Sequence, residues 1–187
     1  MPLRQPLALA RTVSTKTVEE IIMTNWCENL VTISNDDRDV IKAIENAFLR
    51  DELLDAFIPC PKELEYLTSL KPNDGLVKKM VAKYGAEDWY LWRLDNWGTK
   101  WDTGISYGTI SFDHSTTIEL DVETAWTPPI PVFDRWVDLG CHVRAQFCEP
   151  EWDVAGTYVD KCVDVIRPLS FKKDRWRGKS RRALRWC

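Results

Sequence analysis

Asn29-Leu30-Val31-Thr32-Ile33-Ser34-Asn35-Asp36-Asp37 is the stretch whose reading decides the fold. Its first six residues alternate and are β-branched at Val31, Thr32 and Ile33, which reads as a strand. Asn35, Asp36 and Asp37 are helix-capping residues. Beyond them Val40, Ile41, Ile44, Ala47 and Phe48 recur with helical period. The spacing predicts a strand-then-helix unit over residues 27–50.

Working toward the C-terminus, Pro59-Cys60-Pro61 breaks the chain and opens a helical insertion over about residues 59–95. Asp74 is expected to cap a helix bearing Leu76, Val77, Met80, Val81 and Tyr84 on one face, with Gly85 closing it. A short aromatic helix follows, with Trp89 and Trp92 one turn apart, before the turn signal Asn96-Trp97-Gly98. Strands are expected over Lys100–Ile105, Tyr107–Phe112 and Thr116–Glu123, with Asp113-His114-Ser115 as a hairpin turn. Thr127-Pro128-Pro129 is expected to cap and start a helix through Val132, Phe133, Trp136 and Leu139 to Gly140. Cys141–Cys148 alternates as a further strand, Glu149-Pro150-Glu151 turns, and Gly156–Ile166 reads as one last strand. This order predicts the α+β class: a ferredoxin-like βαββαβ antiparallel sheet with two helices on one face, a helical insertion and an extra C-terminal strand. The other sheet face is left to the insertion, to a partner or to solvent.

The chain of 187 residues has room for one such domain, expected over residues 23–170, and two tails. Residues 1–22 carry Pro2 and Pro6 and show no alternation. Their apolar stretch is too short for a secretory signal. Arg4, Arg11 and Lys16, with no acid before Glu19, fit the composition of a mitochondrial presequence. A third reading is preferred. Glu19-Glu20-Ile21-Ile22 can be encoded by a purine-rich ribosome-binding site and an AT-rich spacer, so residues 1–22 are expected to be a disordered extension upstream of a true start at Met23. Intact-mass measurement of the natural protein tests this.

The basic tail, residues 171–187, has eight basic residues and one acid, Asp174, for a net +7. The first 22 residues carry +1, so the body between them holds −12 of the total −4. An acidic body with a basic tail can bind phosphate, an acidic partner or itself. Six cysteines show no CxxC pairing, and free thiols in a reducing cytoplasm are expected rather than a disulfide framework. The sequence has no apolar run near the roughly 18 residues that span a bilayer, so no membrane partner is expected.

Residues able to do chemistry are few. His114 falls in an expected turn. His142 neighbours Cys141 on a strand, where adjacent side chains point to opposite faces, so Cys141, His142, Cys148 and Cys162 do not make a convincing zinc site. A nucleophile pair such as Cys27 with His142 has no local sequence mark. Glycine-rich phosphate loops and metalloprotease motifs are absent. No catalytic residue, metal or cofactor is expected. Glu119, Asp121 and Glu123 share one strand face as an acidic ridge, read first as a solvated outer face; with Asp102 or Glu149 it could hold a divalent cation, or it could imitate nucleic acid or meet a basic partner. The Asn96–Asp102 string is the best candidate binding loop: Asn96, Trp97, Lys100, Trp101 and Asp102, joined by Trp126, set indoles beside a cation. Packing under the sheet would account for the same indoles. In the tail, Arg175, Trp176, Arg177, Arg181 and Arg182 interleave charge with rings, as nucleic-acid-binding segments do. A disordered, solubilising tail would read the same way.

Four strings together resemble one family. They are Asn25-Trp26-Cys27-Glu28-Asn29, Asn96-Trp97-Gly98-Thr99-Lys100-Trp101-Asp102, Thr124-Ala125-Trp126-Thr127-Pro128-Pro129, and Glu149-Pro150 followed by Ala155-Gly156. They are similar to the YubB-like, or Api-type, ferredoxin-like domain proteins encoded by bacteriophages and conjugative plasmids. The resemblance implies the βαββαβ topology without an iron–sulfur cluster, a mobile-element origin and a bacterial cytoplasm, and it favours Met23 as the start. It carries no established activity. The chain departs from the pattern in lacking the glycine that often follows the Glu-Pro turn, and in its basic tail. The expectation is a non-catalytic accessory protein that binds a host protein, plausibly a defence or nucleic-acid-processing factor. The alternative is an RNA- or ssDNA-binding protein using sheet-face aromatics and the tail. A metal-dependent enzyme is the least favoured.

Overall fold

Strand β1 (Trp26–Ser34) follows from the alternation. Cys27, Asn29, Val31 and Ile33 are buried, and the residues between them are half-covered. The structure, a computed structural model, describes residues 25–67, 74–103, 109–114, 116–151 and 154–166. After β1 the Asn35 side-chain oxygen accepts from the Asp37 amide at 2.8 Å, and Asp37 accepts from the Asp39 amide at 2.9 Å. These two bonds start helix α1 (Arg38–Leu49), which buries Ile41, Ile44 and Ala47.

The insertion supplies α2 (Lys62–Leu67), α3 (Asp74–Tyr84) and α4 (Trp89–Trp97). Helix α2 was not legible in the sequence, being a single charged turn and a half after Pro61. Asp74 is the first residue of α3 rather than its cap, and Gly85 follows the helix at φ 77°. The Asp88 carboxylate caps α4 by accepting from the Leu91 amide, and Gly98, at φ 77°, ends it.

The remaining elements are β2 (Thr109–His114), β3 (Thr117–Ala125), α5 (Ile130–Asp138), β4 (His142–Glu149), β5 (Val154–Val159) and β6 (Cys162–Ile166). The sheet order is β2-β3-β1-β4-β5-β6, and every neighbouring pair is antiparallel. Its first four strands have the interleaved ferredoxin-like order: β1 lies between β3 and β4, with helical crossovers linking β1 to β2 and β3 to β4. The α+β reading therefore holds.

Several expected boundaries change. Lys100–Thr103 forms bends, not a strand, because Lys100 and Asp102 are engaged with other loops, as described below. The expected hairpin turn at Asp113-His114-Ser115 moves on, since β2 runs through His114 with a register shift after Phe112. Thr127 does not cap α5. Its hydroxyl donates to the Gly98 carbonyl, and Pro131 is the proline of the first turn. The single last strand is two, because Asp160 (φ 44°) and Lys161 (φ 74°) form a tight hairpin turn without glycine.

One apolar cluster unites one face of the sheet with all the described helices. Val31, Ile33, Ile118, Leu120 and Val143 pack with Ile44 of α1, Phe133 and Trp136 of α5, and Leu64, Met80, Trp92 and Trp97 of the insertion. The insertion thus thickens the helical layer instead of covering the opposite sheet face. That face carries the alternate residues of each strand, Glu28, Thr32, Glu119, Asp121, Glu123 and Arg144 among them.

Candidate functional site

A buried polar network draws together three of the four strings that carry the family resemblance. Asn29 is wholly buried on β1, and its side-chain amide donates to the Cys27 carbonyl (2.9 Å), the Val122 carbonyl (3.2 Å) and the Thr124 hydroxyl (2.9 Å). Thr124 donates to the Thr127 carbonyl at 2.7 Å, Thr127 donates to the Gly98 carbonyl, and Thr99 donates to the Ala125 carbonyl at 2.9 Å. Buried polar atoms need such partners. Gly98 sits hard against this junction: a Cβ there would lie 3.2 Å from the Pro128 carbonyl oxygen and 3.3 Å from Pro131 Cδ.

The candidate loop divides in two. Asn96 donates to the Trp92 carbonyl at 2.9 Å, and Trp97 is fully buried with its indole N–H donating to the Ile58 carbonyl at 2.7 Å. Asp102 accepts from the amides of Leu54 (2.9 Å), Asp55 (2.8 Å) and Thr103 (2.7 Å), tying the loop to the segment after α1. Burial pushes its carboxyl above the usual range, and those amides pull it back. Asn96, Trp97 and Asp102 therefore hold the scaffold.

Lys100, Trp101 and Trp126 form a different group. The Lys100 ammonium lies 4.2 Å from the Trp101 ring centre, 5.7 Å from Trp126 and 5.9 Å from Tyr90. Tyr90 meets Trp126 edge to face at 6.2 Å, and Trp26 stands 6.0 Å from Trp101. Trp101 is buried, while Tyr90, Trp126 and Lys100 are partly exposed. Trp126 has φ 72°, a left-handed conformation that is a genuine outlier for a bulky side chain. Sequence reasoning missed Tyr90 and Trp26. Trp26 is pointed to by its string, but Tyr90 carries no signal until α4 is placed against the β3–α5 turn.

Glu119, Asp121 and Glu123 lie on the sheet face opposite the core, and Glu28 joins them because its Cα pairs with that of Glu123 across β1 and β3. Burial pushes the Glu123 carboxyl above its usual range, and Asp121 raises it further. Trp26 pairs with Ala125, the residue before Trp126, so the ring cluster stands at the end of the sheet where Glu28 faces Glu123. The described outward strand residues there are the acids Glu28, Asp121 and Glu123 together with Trp26.

The other candidates separate. Cys27 is the second residue of β1, whereas His142 pairs with Ser34 at the far end, about seven residues or 23 Å away. Cys27, Cys60 and Cys141 are buried, and desolvation raises all three thiols. His142 is exposed beside Asp160. Among the described residues no group of three or more His, Cys, Asp or Glu is placed to hold a metal ion, and no helix is long and apolar enough to cross a membrane. The N-terminal extension and the tail residues Arg175, Trp176, Arg177, Arg181 and Arg182 lie outside the described residues.

No family model matches the chain, and no curated protein matches it. Among solved structures it is similar to the crystal structure of the protein Api92 from Yersinia pseudotuberculosis, a DUF1281 protein. The two are 9% identical, with 76% of this chain and 98% of that chain covered and a TM-score of 0.42.

Proposed function

We propose that this chain is a non-catalytic accessory protein of a phage or other mobile element, acting by binding a host protein that presents a basic surface. One observation carries the binding mode: Glu28, Glu119, Asp121 and Glu123 gather on one face of the central strands, with Glu28 directly across from Glu123. Like charges facing each other across a sheet oppose folding. A basic partner turns that arrangement into attraction, speeding encounter and fixing orientation. The mobile-element origin and the cytoplasmic setting rest on the resemblance of the four strings. A phosphate backbone would be repelled by the same face, which disfavours nucleic acid there.

Affinity capture from bacterial lysate tests the reading, comparing the native chain with a variant carrying Gln at 28, 119 and 123 and Asn at 121. The expected result is a defined basic protein held by the native chain, released by salt and absent from the variant. Capture of no specific protein, or equal capture by both chains, would refute it. A nucleic acid recovered in place of a protein would favour the tail-based alternative, to be checked by gel shift after changing Arg175, Arg177, Arg181 and Arg182 to Ala.

A further inference from the structure

Trp126 presents an energetic puzzle. Its left-handed backbone, φ 72°, suits glycine or asparagine, and a large side chain there is strained. Deep burial does not compensate, because Trp126 is partly exposed. Its backbone N–H donates a hydrogen bond to the Asn25 carbonyl at 2.9 Å, one that any residue type with an N–H would make. Among the described residues, the indole's ring contacts are with the edge-to-face Tyr90 ring and the Lys100 ammonium.

Those contacts have a recognisable chemistry. Three rings, Tyr90, Trp101 and Trp126, converge on one ammonium at 4.2–5.9 Å. Ring faces carry negative quadrupole density, and a ring of them around a cation is how proteins take up alkylammonium groups, methylated lysine above all. The Lys100 ammonium stands in for such a ligand. It is borne on a flexible four-carbon stem from a loop next to the rings, so it can leave without unfolding anything. Glu28 and Glu123 face each other at the same end of the sheet, adding field that favours cations over neutral groups.

We propose that Tyr90, Trp101 and Trp126 form a cation-accepting aromatic cage for a lysine or methyl-lysine side chain of a protein partner, filled in the free chain by its own Lys100. This deepens the protein-binding reading above by naming the partner side chain, and it makes Lys100 an internal competitor that sets affinity.

The test uses Lys100→Met in the full chain, with tetramethylammonium as probe and neopentane-type 3,3-dimethylbutanol as the uncharged match. Binding is followed by indole fluorescence and by indole N–H shifts in NMR spectra. K100M should show saturable tetramethylammonium binding about tenfold tighter than the native chain, with the neutral probe much weaker. Adding Trp126→Ala should abolish it. Near-UV circular dichroism establishes that each variant retains its packing, and Trp126→Phe, which keeps a ring face, should retain part of the binding if W126A proves unfolded. A folded K100M chain that takes no cation, or takes the neutral probe equally well, overturns the cage. Salt-sensitive capture of a basic protein would survive that outcome, so failure of the cage and failure of the wider reading are separable.

Discussion

At the scale of single residues, Gly98 and Glu123 make the sharpest cases. Gly98→Ala forces a Cβ to 3.2 Å from the Pro128 carbonyl at φ 77°, where the alanine backbone is also strained. The expected loss is about 1–3 kcal/mol, read from urea denaturation. Glu123 has a carboxyl raised above its usual range, first by desolvation and then by Asp121. The folded chain therefore keeps that proton at a pH where the unfolded chain has lost it, so the ionised group subtracts stability at neutral pH and ceases to do so in acid. Glu123→Gln should stabilise by about 0.5 kcal/mol at pH 7, a modest figure because the side chain is partly solvated. The difference between variant and native chain should vanish below about pH 4. An equal gain at both pH values would mean that charge is not the cause. The residues of the aromatic group were only half legible. Indole spacing flagged Trp97, Trp101 and Trp126 alike, yet only partners distant in sequence, Ile58 for Trp97 and Tyr90 for Trp126, separate a core indole from a cage wall.

At the scale of elements, strands and helices with one apolar face were legible and turns were not. β1, α1, α5 and β4 follow from residue period alone, since each sets its own buried and open sides. The β5–β6 hairpin was hidden because its turn uses Asp160 and Lys161 with positive φ instead of the usual glycine or asparagine, held by Asp160 accepting from the Val143 amide at 2.8 Å. Lys100–Thr103 looked like a strand because its side chains alternate, but Asp102 draws the backbone toward the segment after α1. The two appended strands depend on close approach at Gly156, where a Cβ would lie 2.4 Å from Phe147 Cζ and 2.5 Å from the Asp164 carbonyl oxygen. Gly156→Ala should therefore cost about 2–3 kcal/mol or more. Hydrogen exchange should show protection lost first in Cys162–Ile166, while β1 and β3 keep theirs.

At the scale of the whole molecule, the insertion and the sheet share one core, with Trp92 and Trp97 in the same cluster as Ile33 and Phe133. A single cooperative transition is expected, with far-UV and near-UV signals coinciding during denaturation. An early phase confined to tryptophan signals would show the insertion to be a separate unit. The class of fold was readable because the order of elements allows few sheet arrangements. The sharing of the acidic ridge by Glu28 and Glu123 was not, because it depends on register between β1 and β3.

The central position of β1 also bears on synthesis. Its Asn29 amide is matched by Val122 and Thr124, which lie 93 and 95 residues further on. A ribosome adding about 5–20 residues per second delivers this strand roughly 5–20 s before either flanking strand exists. Through that interval the nascent chain displays an unmatched ribbon of Val31 and Ile33, a natural substrate for chaperones, and its later closure is slow because distant segments must meet before any of the sheet is secured.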